Sequence, residues 1–416
     1  MKITNLSLAA IAAVAMTTGA MAEADKGVDF NIGGQAVVYY QTAEAGGDTD
    51  FFKKGNSKAN AGLQLNANGD LGNGFGLGLQ GTALGTLGLE KNLVSNIMQS
   101  ADGGLNGMAL TKAYVTKQLA NTTFKLGRQE LPKSLSPLAF SENWNVFKNT
   151  FDAAVAINSD IPNTTLVGAY VANSNNHGDM SSFDNLTAVG GVARPGNGAY
   201  MLTAQNKSIE NVAITGSYYS IISGGSTGYT YMGKDKAGKP EVQNSIAPHV
   251  DALWLDVAAS KLGPVNLAVQ AGQLSPDGSA FKDTTVYGAK VTGKAGNVAL
   301  KLAYSSVDDG TLSVQNVGTG VKTPLYTQMV ANQNHISSDA DTVVLQAVMP
   351  LAAGTVIAQY DLTTDNSAAG NDYNELDLIY KFKALGTTML AAYVRADADK
   401  AADPTNIIRL WTRYNF

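Results

Sequence analysis

The sequence ends in "IIRLWTRYNF", residues 407–416, and this stretch decides the fold class. Phe416, Tyr414 and Leu410 fall on one parity, whereas Arg413 and Arg409 fall on the other. Successive side chains of a β-strand point to opposite faces, so the stretch predicts a strand with one apolar face and one charged face. Such alternation occurs in any half-buried strand, and its meaning therefore depends on the rest of the chain.

The first 22 residues, "MKITNLSLAAIAAVAMTTGAMA", predict an export signal. Lys2 supplies the positive start, the apolar run covers 6–16, and Ala20 and Ala22 form a small-residue cleavage site. The run is too short to span a bilayer, so the mature chain is expected to be one domain, residues 23–416. An anchor helix retained in the mature protein is the alternative.

Composition excludes several classes of protein. The chain has no cysteine, and therefore neither disulfides nor thiolate metal sites. No segment after the signal approaches the roughly 18 uninterrupted apolar residues of a transmembrane helix. The formal net charge of -5 argues against a nucleic-acid binder, which would be strongly basic.

Runs of alternating polarity give about eighteen candidate strands, and their connections alternate in length. Short connections such as "LAN" and "AL" are each followed by a long one of roughly 10 to 35 residues. A soluble sandwich has no reason to sort its hairpins this way, whereas a membrane barrel has short periplasmic turns and long extracellular loops. The sequence therefore predicts an all-β protein, a transmembrane antiparallel β-barrel of about eighteen strands.

A barrel in lipid must have no open edge, because hydrocarbon offers no partner for backbone groups. The last strand is thus expected to pair with the first, "VDFNIGGQAVVYYQ", residues 28–41. This pairing places Tyr414 and Phe416 at the periplasmic membrane interface, where aromatic rings are favoured.

The export signal, the lack of cysteine and the terminal Tyr-x-Phe together resemble bacterial outer-membrane barrels. In those proteins the final strand is recognised by the barrel-assembly machinery, which implies that Tyr414 and Phe416 act as an assembly signal. "KLGRQELP" (125–132), followed by a long loop and "NTFDAAVA" (149–156), is similar to the Opr-type porins, which include the major outer-membrane proteins of epsilon-class Proteobacteria.

This resemblance implies an outer-membrane porin of eighteen strands that passes small hydrophilic solutes and ions by passive diffusion. It also implies a homotrimer and no bound cofactor, with a bound calcium ion as a lesser alternative. The corresponding loop of the family bends into the lumen, so residues 130–149 are expected to be the constriction loop. Its charges would be Glu130, Lys133, Glu142 and Lys148, with Arg128 just before it. Strict alternation sends Arg128 toward lipid, so this residue lies either at the outer rim or on a bulge that turns it inward.

Alternation also predicts which strand residues line the pore, because a Lys or Arg facing the bilayer midplane would cost about 2–4 kcal/mol. These charges either pair across strands and hold the wall together or create the field that acts on solutes. Nine are basic and five acidic, which predicts a mild basic excess and a weakly selective channel. They are Lys112, Lys125, Lys290, Lys301, Lys381, Lys383, Arg395, Arg409, Arg413, Asp152, Asp256, Asp361, Glu375 and Asp377.

The sequence carries no motif for catalysis. His177, His249 and His335 fall in three different long loops, with no second histidine at ligand spacing and with no wall serine or aspartate expected beside them. "GNGFGLG" (72–78) lacks the Lys-Ser/Thr end of a phosphate-binding loop. An enzyme is therefore not expected.

Two other functions are compatible with parts of the pattern. A barrel acting chiefly as a surface adhesin or structural protein would use long loops such as 306–340 for binding. A secreted β-solenoid is allowed by the 44 glycines, but it requires a fixed repeat length, and the connections vary widely.

Overall fold

The computed structural model describes residues 29–46, 50–175, 178–186, 198–222, 230–234, 240–244, 249–277, 281–368 and 370–416. The predicted export signal, residues 1–22, and His177 lie outside these described residues. Within them, no helix is long and apolar enough to cross a membrane. Helical structure in the described ranges is limited to three short 3-10 turns, at Lys54–Asn56, Leu89–Lys91 and Asn332–Asn334.

Twenty-one strands follow one another along the described chain. The first twelve are β1 (Asp29–Glu44), β2 (Ser57–Gly72), β3 (Phe75–Gly85), β4 (Gly107–Leu119), β5 (Thr122–Gln129), β6 (Phe151–Asn158), β7 (Thr164–Asn175), β8 (Phe183–Asn185), β9 (Ala199–Asn206), β10 (Val212–Ile221), β11 (Thr230–Lys234) and β12 (Pro240–Asn244). The others are β13 (Val250–Leu262), β14 (Val265–Pro276), β15 (Thr284–Ala295), β16 (Val298–Val307), β17 (Ala340–Leu351), β18 (Gly354–Asp365), β19 (Tyr373–Ala384), β20 (Thr387–Ala398) and β21 (Thr405–Asn415).

Eighteen of these strands form one closed barrel. Nineteen strands belong to a single sheet, and one of them, the three-residue β8, pairs only with the end of β7. The remaining eighteen pair antiparallel with a neighbour on each side, and β1 pairs with both β2 and β21. The predicted barrel and its strand number are therefore confirmed.

The connections alternate in length, as predicted. Eight turns of two to five residues join strands at one end of the barrel, at 73–74, 120–121, 159–163, 207–211, 263–264, 296–297, 352–353 and 385–386. Asn73 and Gly74 both have positive φ, 53° and 75°, as a two-residue hairpin turn requires. The nine longer connections at the other end are named L1 to L9 in chain order; L3 is 130–150 and L7 is 308–339.

The seam between β1 and β21 brings the aromatic residue Phe416 against Gly34 of the first strand. The Phe416 N–H donates to the Gly34 carbonyl at 3.0 Å, and the Gly34 N–H donates to the Phe416 carbonyl at 2.7 Å. A side chain at position 34 would overlap the Phe416 ring and the Gln64 carbonyl, so the close approach requires glycine. The Tyr414 and Phe416 rings stack at 5.9 Å and are about half exposed at the short-turn end.

Deleting Phe416 is expected to impair closure of the barrel. The deletion leaves both backbone groups of Gly34 without a partner, and each such group costs about 1–3 kcal/mol where water is excluded. The fraction of refolded protein with heat-modifiable migration in detergent gels should fall several-fold. Asn415→Ala, a change of the exposed neighbour, is the matched control. Equal folded fractions for the deletion and the control would contradict this account of the seam.

The two faces of the wall differ as a membrane barrel requires. On the outer face, Leu126, Leu202 and Leu362 are 65%, 62% and 58% exposed, and similar apolar side chains occur on most barrel strands. Their neighbours on the opposite parity are largely buried or polar. An exposed apolar belt of this kind is the outer surface of a barrel that stands in lipid.

Candidate functional site

Loop L3 crosses the interior of the barrel. The Leu138 N–H donates to the hydroxyl of Tyr219 on β10 at 3.2 Å. Farther along the loop, Arg413 Nη2 on β21 donates to the Val146 carbonyl at 2.9 Å. Because β10 and β21 lie at separate positions around the barrel, one loop reaches both only through the lumen. The loop expected to narrow the channel is therefore inside it.

Loop L7 also lies in the lumen, contrary to its assignment as an external binding segment in the adhesin hypothesis. The Tyr326 hydroxyl donates to Asp256 on β13 at 2.5 Å. Asn332 Nδ2 donates to Asp361 on β18 at 3.0 Å, and the Ala331 N–H donates to Glu375 on β19 at 2.8 Å. The apolar residues of L7 were a sign in the sequence that this loop lies inside the barrel, because a loop surrounded by water does not need so many of them.

An apolar core joins both loops to the inner wall. It consists of buried side chains of L3 and L7, and of Leu186 after β8, together with inward residues of β6, β7, β9, β10 and β13–β16, on the half of the lumen toward the long loops. Its loop members are Leu131, Leu138, Ala139, Leu186, Leu312, Val314, Val317, Leu325 and Ile336. Dense packing of this kind excludes water, so these loops are fixed elements of the lumen.

Three acidic residues predicted to line the pore are covered by L7. Asp361, Glu375 and Asp377 lie on the inner face, but each is 0% exposed. The N–H groups of Val330 and Ala331 point at Asp377 and Glu375, at 3.3 and 2.8 Å. The prediction that these carboxylates face the water path is therefore wrong; they hold L7 against the wall.

Lys322 of L7 contacts the opposite side of the turn formed by residues 329–331. Its Nζ donates to the carbonyls of Met329 at 3.1 Å and Val330 at 2.8 Å, and to Gln333 Oε1 at 2.9 Å. Burial lowers the pKa of Lys322 to about 8. The turn is thus held between an ammonium on its carbonyl side and the wall carboxylates on its N–H side.

Arg128, Asp152 and Arg395 face outward, which corrects two pore-lining predictions and settles the position of Arg128. Phe151 and Ala153 are buried in the inner core, so Asp152 between them points the other way. It pairs with Arg128 at 2.9 Å, and the ring of Phe183 from β8 lies 3.1 Å from the guanidinium carbon. The register of β5 is unbroken, so no bulge turns Arg128 inward.

Arg395 sits across from Leu376, a lipid-facing residue of β19, and cross-strand neighbours share a face. Its guanidinium pairs with Asp397 on the same strand at 2.9 Å. In both β6 and β20 the apolar side chains occur on both parities, so polarity alone assigned the wrong face.

The start of L3 forms one group of charges with β4. Glu130 lies 2.5 Å from Lys112 and 3.0 Å from Lys148, and all three side chains keep part of their surface exposed. Burial opposes ionisation of Glu130, but the two ammonium groups outweigh it and hold its pKa below the usual value. Two of the predicted loop charges, Glu130 and Lys148, thus meet a predicted wall residue.

A second basic group surrounds Tyr326 of L7. Lys290 Nζ lies 3.9 Å from the centre of the Tyr326 ring, and Lys301 Nζ donates to the Tyr326 carbonyl at 3.4 Å. Lys133 of L3 donates to the Thr323 carbonyl at 3.2 Å. Among the described residues, none of these three lysines forms an ion pair within 4.0 Å. Asp256 is an acidic residue close to Lys133 and Lys290, and Trp254 and the Tyr326 hydroxyl donate to its two oxygens.

The remaining predicted basic residues lie on the inner face. Lys125 stands over the Tyr114 ring at 3.8 Å, Arg409 donates to Gln41 at 3.2 Å, and Arg413 donates to Gln35. Of the predicted site charges, the inward ones that keep exposed surface are therefore ten basic and two acidic. They are Lys112, Lys125, Lys133, Lys148, Lys290, Lys301, Lys381, Lys383, Arg409, Arg413, Glu130 and Asp256.

His249 corrects another expectation, because it does lie beside a serine and an aspartate on wall strands. Its Nε2 is 3.2 Å from Ser220 Oγ and 3.3 Å from Asp251 Oδ1. One ring nitrogen faces both groups, whereas a catalytic triad needs the two nitrogens to face the nucleophile and the acid separately. His335 of L7 stacks on Tyr373 at 3.9 Å, and burial lowers the pKa of His335.

Two further features bear on where a ligand binds. In the described ranges, no three His, Cys, Asp or Glu side chains come together as a metal site. A groove of about 860 Å³ lies on the outer face of β6, β7, β9, β10 and β13–β15, with Gly168, Ala204, Gly216 and Ala271 at its base and leucines around it. It opens to lipid, so the lumen is the candidate site for hydrophilic solutes.

Comparison with solved structures identifies the architecture. OpdK of Pseudomonas aeruginosa, solved with vanillate, is 12% identical, with a TM-score of 0.74 over 93% of this chain and 98% of that one. The chain has the fold of the Opr-type porins. A BenF-like porin of Pseudomonas fluorescens is 13% identical, with a TM-score of 0.72 over 93% and 98% of the two chains. OccAB1 of Acinetobacter baumannii is 14% identical, with a TM-score of 0.70 over 93% and 96%.

No protein-family model and no curated relative matches the chain. The porin likeness thus confirms the resemblance drawn from "KLGRQELP" and "NTFDAAVA" at the level of fold. A porin barrel with an apolar outer belt is the architecture of a bacterial outer-membrane protein, in agreement with the predicted location.

Proposed function

We propose that the protein is an outer-membrane porin through which small hydrophilic solutes and ions diffuse passively, with a preference for anions. The observation that carries the proposal is the charge that the lumen presents to water. Ten basic and two acidic predicted site residues keep exposed surface there, while four acidic ones, Asp361, Glu375, Asp377 and Glu142, are covered.

The exposed charge of the lumen is more basic than the sequence predicts. Ten basic and two acidic predicted site residues keep exposed surface, against the nine basic and five acidic wall residues expected. Uncompensated ammonium and guanidinium groups along a narrow wall lower the energy of an anion and raise that of a cation. The basic groups that form no ion pair within 4.0 Å among the described residues lie on several sides, at Lys125, at Lys290 and Lys301, and at Arg409. A solute that passes L3 and L7 is therefore expected to meet positive charge on several sides of the lumen.

The adhesin hypothesis is not favoured. Its principal binding segment, the 35-residue stretch 306–340, is held in the lumen through Tyr326, Ala331 and Asn332 and is not available to an external partner. One solved neighbour is described as a BenF-like porin, and a porin is a channel, which supports a role without enzymatic activity.

Single-channel recording tests the proposal. Purified protein in a planar bilayer should give discrete current steps, and a potassium chloride gradient should give a chloride-to-potassium permeability ratio well above one. Vanillate, present in the OpdK structure, is a suitable organic anion to compare with a neutral sugar of similar size. Folded protein that inserts without current steps would remove the channel function, and a ratio below one would remove the anion preference.

Several expected partners stay predictions. These are the homotrimer, the barrel-assembly machinery acting on Tyr414 and Phe416, and the lesser alternative of a bound calcium ion.

A further inference from the structure

The sequence predicts Glu142 as an exposed charge of the constriction loop, but its side chain is 4% exposed and lies between two loops. Its carboxylate accepts hydrogen bonds from Asn316 Nδ2 at 2.8 Å and from the Lys322 N–H at 3.1 Å. The Thr319 hydroxyl and the Trp144 ring N–H donate to it as well. We name these five residues, Glu142 and Trp144 of L3 with Asn316, Thr319 and Lys322 of L7, the interloop cluster.

The interloop cluster satisfies a buried charge entirely with neutral donors. Three of its four donors come from a loop more than 170 positions away along the chain. An ionised carboxylate that water does not reach needs several such donors, and each donor needs an acceptor in turn. Separation of the loops would therefore leave unpaired polar groups on both sides.

Asn316 adds a second link between the loops that involves no charge. Its Nδ2 donates to the Phe140 carbonyl at 2.7 Å, and its Oδ1 accepts the Phe140 N–H at 3.1 Å. The next residue, Val317, donates its N–H to the Leu138 carbonyl at 2.8 Å. Residues 316–317 of L7 are thus hydrogen-bonded to the backbone of residues 138–140 of L3.

We propose that Glu142 is a positioning residue that joins L3 and L7 into one rigid body and so sets a single channel width. This inference rests on the proposed function, because width matters only if the lumen conducts. L3 carries three charges of the lumen that keep exposed surface, Glu130, Lys133 and Lys148. L7 holds Tyr326 between Lys290 and Lys301 of the wall. A shift of one loop against the other would move these groups relative to one another.

The test compares three variants in planar bilayers. Glu142→Ala removes the acceptor, and Asn316→Ala breaks the same contact from L7 without changing a charge. Asn334→Ala, at an exposed position of L7, is the matched control. Time spent outside the main open level should rise about tenfold or more in the first two variants, because each leaves buried polar groups unpaired. The control should keep the steady steps of the wild type.

A covalent link between the loops provides the rescue. Because the chain has no cysteine, Leu138→Cys with Val317→Cys in the Glu142→Ala background creates a single thiol pair across the hydrogen-bonded segment. Oxidation should restore steady steps, and reduction should abolish them. Steady steps in both Glu142→Ala and Asn316→Ala, with heat-modifiable migration retained, would overturn the proposal. An equal rise in the time that Asn334→Ala spends outside the main open level would overturn it too, because the effect would then not be specific to the interloop cluster.

Limited trypsin digestion separates this inference from the proposed function. Lys322 is 7% exposed, so cleavage after it should be slow in the wild type and several-fold faster in Glu142→Ala. If wild-type protein gives no current, the channel function fails, and the digestion still reports whether Glu142 joins the loops. Equal digestion rates in folded wild type and variant would refute the positioning role.

Discussion

Reversing the charge of Arg409 and Arg413 together should lower the chloride-to-potassium permeability ratio by about tenfold, which corresponds to about 1.4 kcal/mol in relative ion free energy. Both side chains lie on the inner face of β21 beside Gln41 and Gln35, and neither forms an ion pair within 4.0 Å among the described residues. The double Arg→Glu variant therefore replaces two uncompensated positive charges with two negative ones.

The control reverses Lys53 and Lys54, two exposed residues of L1, which changes the same number of charges outside the barrel wall; Lys53 pairs with Asp50 at 2.7 Å. Arg413 also donates to the Val146 carbonyl of L3, so Arg413→Lys is a second control that keeps the charge and changes the hydrogen bond. An unchanged ratio in the Arg409→Glu/Arg413→Glu variant would show that these residues only hold the wall and L3 together.

Shortening L7 is expected to produce the largest change in conductance. Val307 and Ala340 are direct neighbours across β16 and β17, so a short glycine-serine linker in place of 313–335 spans the gap without strain. An eighteen-stranded barrel is too wide for its wall side chains to fill, and removal of the loop opens that width. Conductance should rise several-fold, and larger neutral sugars should pass.

The same variant should also lose anion preference. Without L7, the carboxylates of Asp361, Glu375 and Asp377 face water, and three negative charges join the lumen wall. Shortening the exposed tip of L9, 400–403, is the control, and heat-modifiable migration checks that both barrels fold. Wild-type conductance in the L7 variant would mean that this loop does not narrow the path.

Much of the barrel could be predicted because it follows from two strict requirements. Backbone groups in lipid must all be paired, so "IIRLWTRYNF" was predicted to pair with the first strand. The hydrogen bonds between Gly34 and Phe416 confirm this pairing. The alternation of short turns and long loops needed only the chain order.

Assignment of faces failed where the interior is not simply polar. Phe151, Ala153 and Val155 of β6 are apolar because L3 and L7 pack on them, so the rule that apolar side chains face lipid put Asp152 on the wrong side. Arg395 was misplaced in the same way on β20, where Ala392 and Val394 are buried on the inner face. Only the path of the two loops reveals which strands have an apolar lumen face.

The interloop cluster was beyond sequence analysis for a related reason. Glu142 and Asn316 meet across 174 positions, and nothing in either segment marks the other as its partner. A carboxylate in a loop indicates an exposed charge until its donors are known. The apolar residues of 308–339 were the one readable sign that this loop is not surrounded by water.

The unequal distribution of charge has a consequence for how anions arrive. The chain has 29 basic and 34 acidic residues; setting aside the predicted lumen charges that keep exposed surface, ten basic and two acidic, and the covered Asp361, Glu375, Asp377, Glu142 and Lys322 leaves 18 basic against 28 acidic residues elsewhere. Under the proposed anion preference, approaching anions are therefore expected to be repelled before the wall attracts them. Salt screens this outer repulsion over a Debye length of about 8 Å at physiological ionic strength. Anion flux should therefore grow more steeply than in proportion to salt concentration when the bath is dilute, and approach proportionality when it is concentrated.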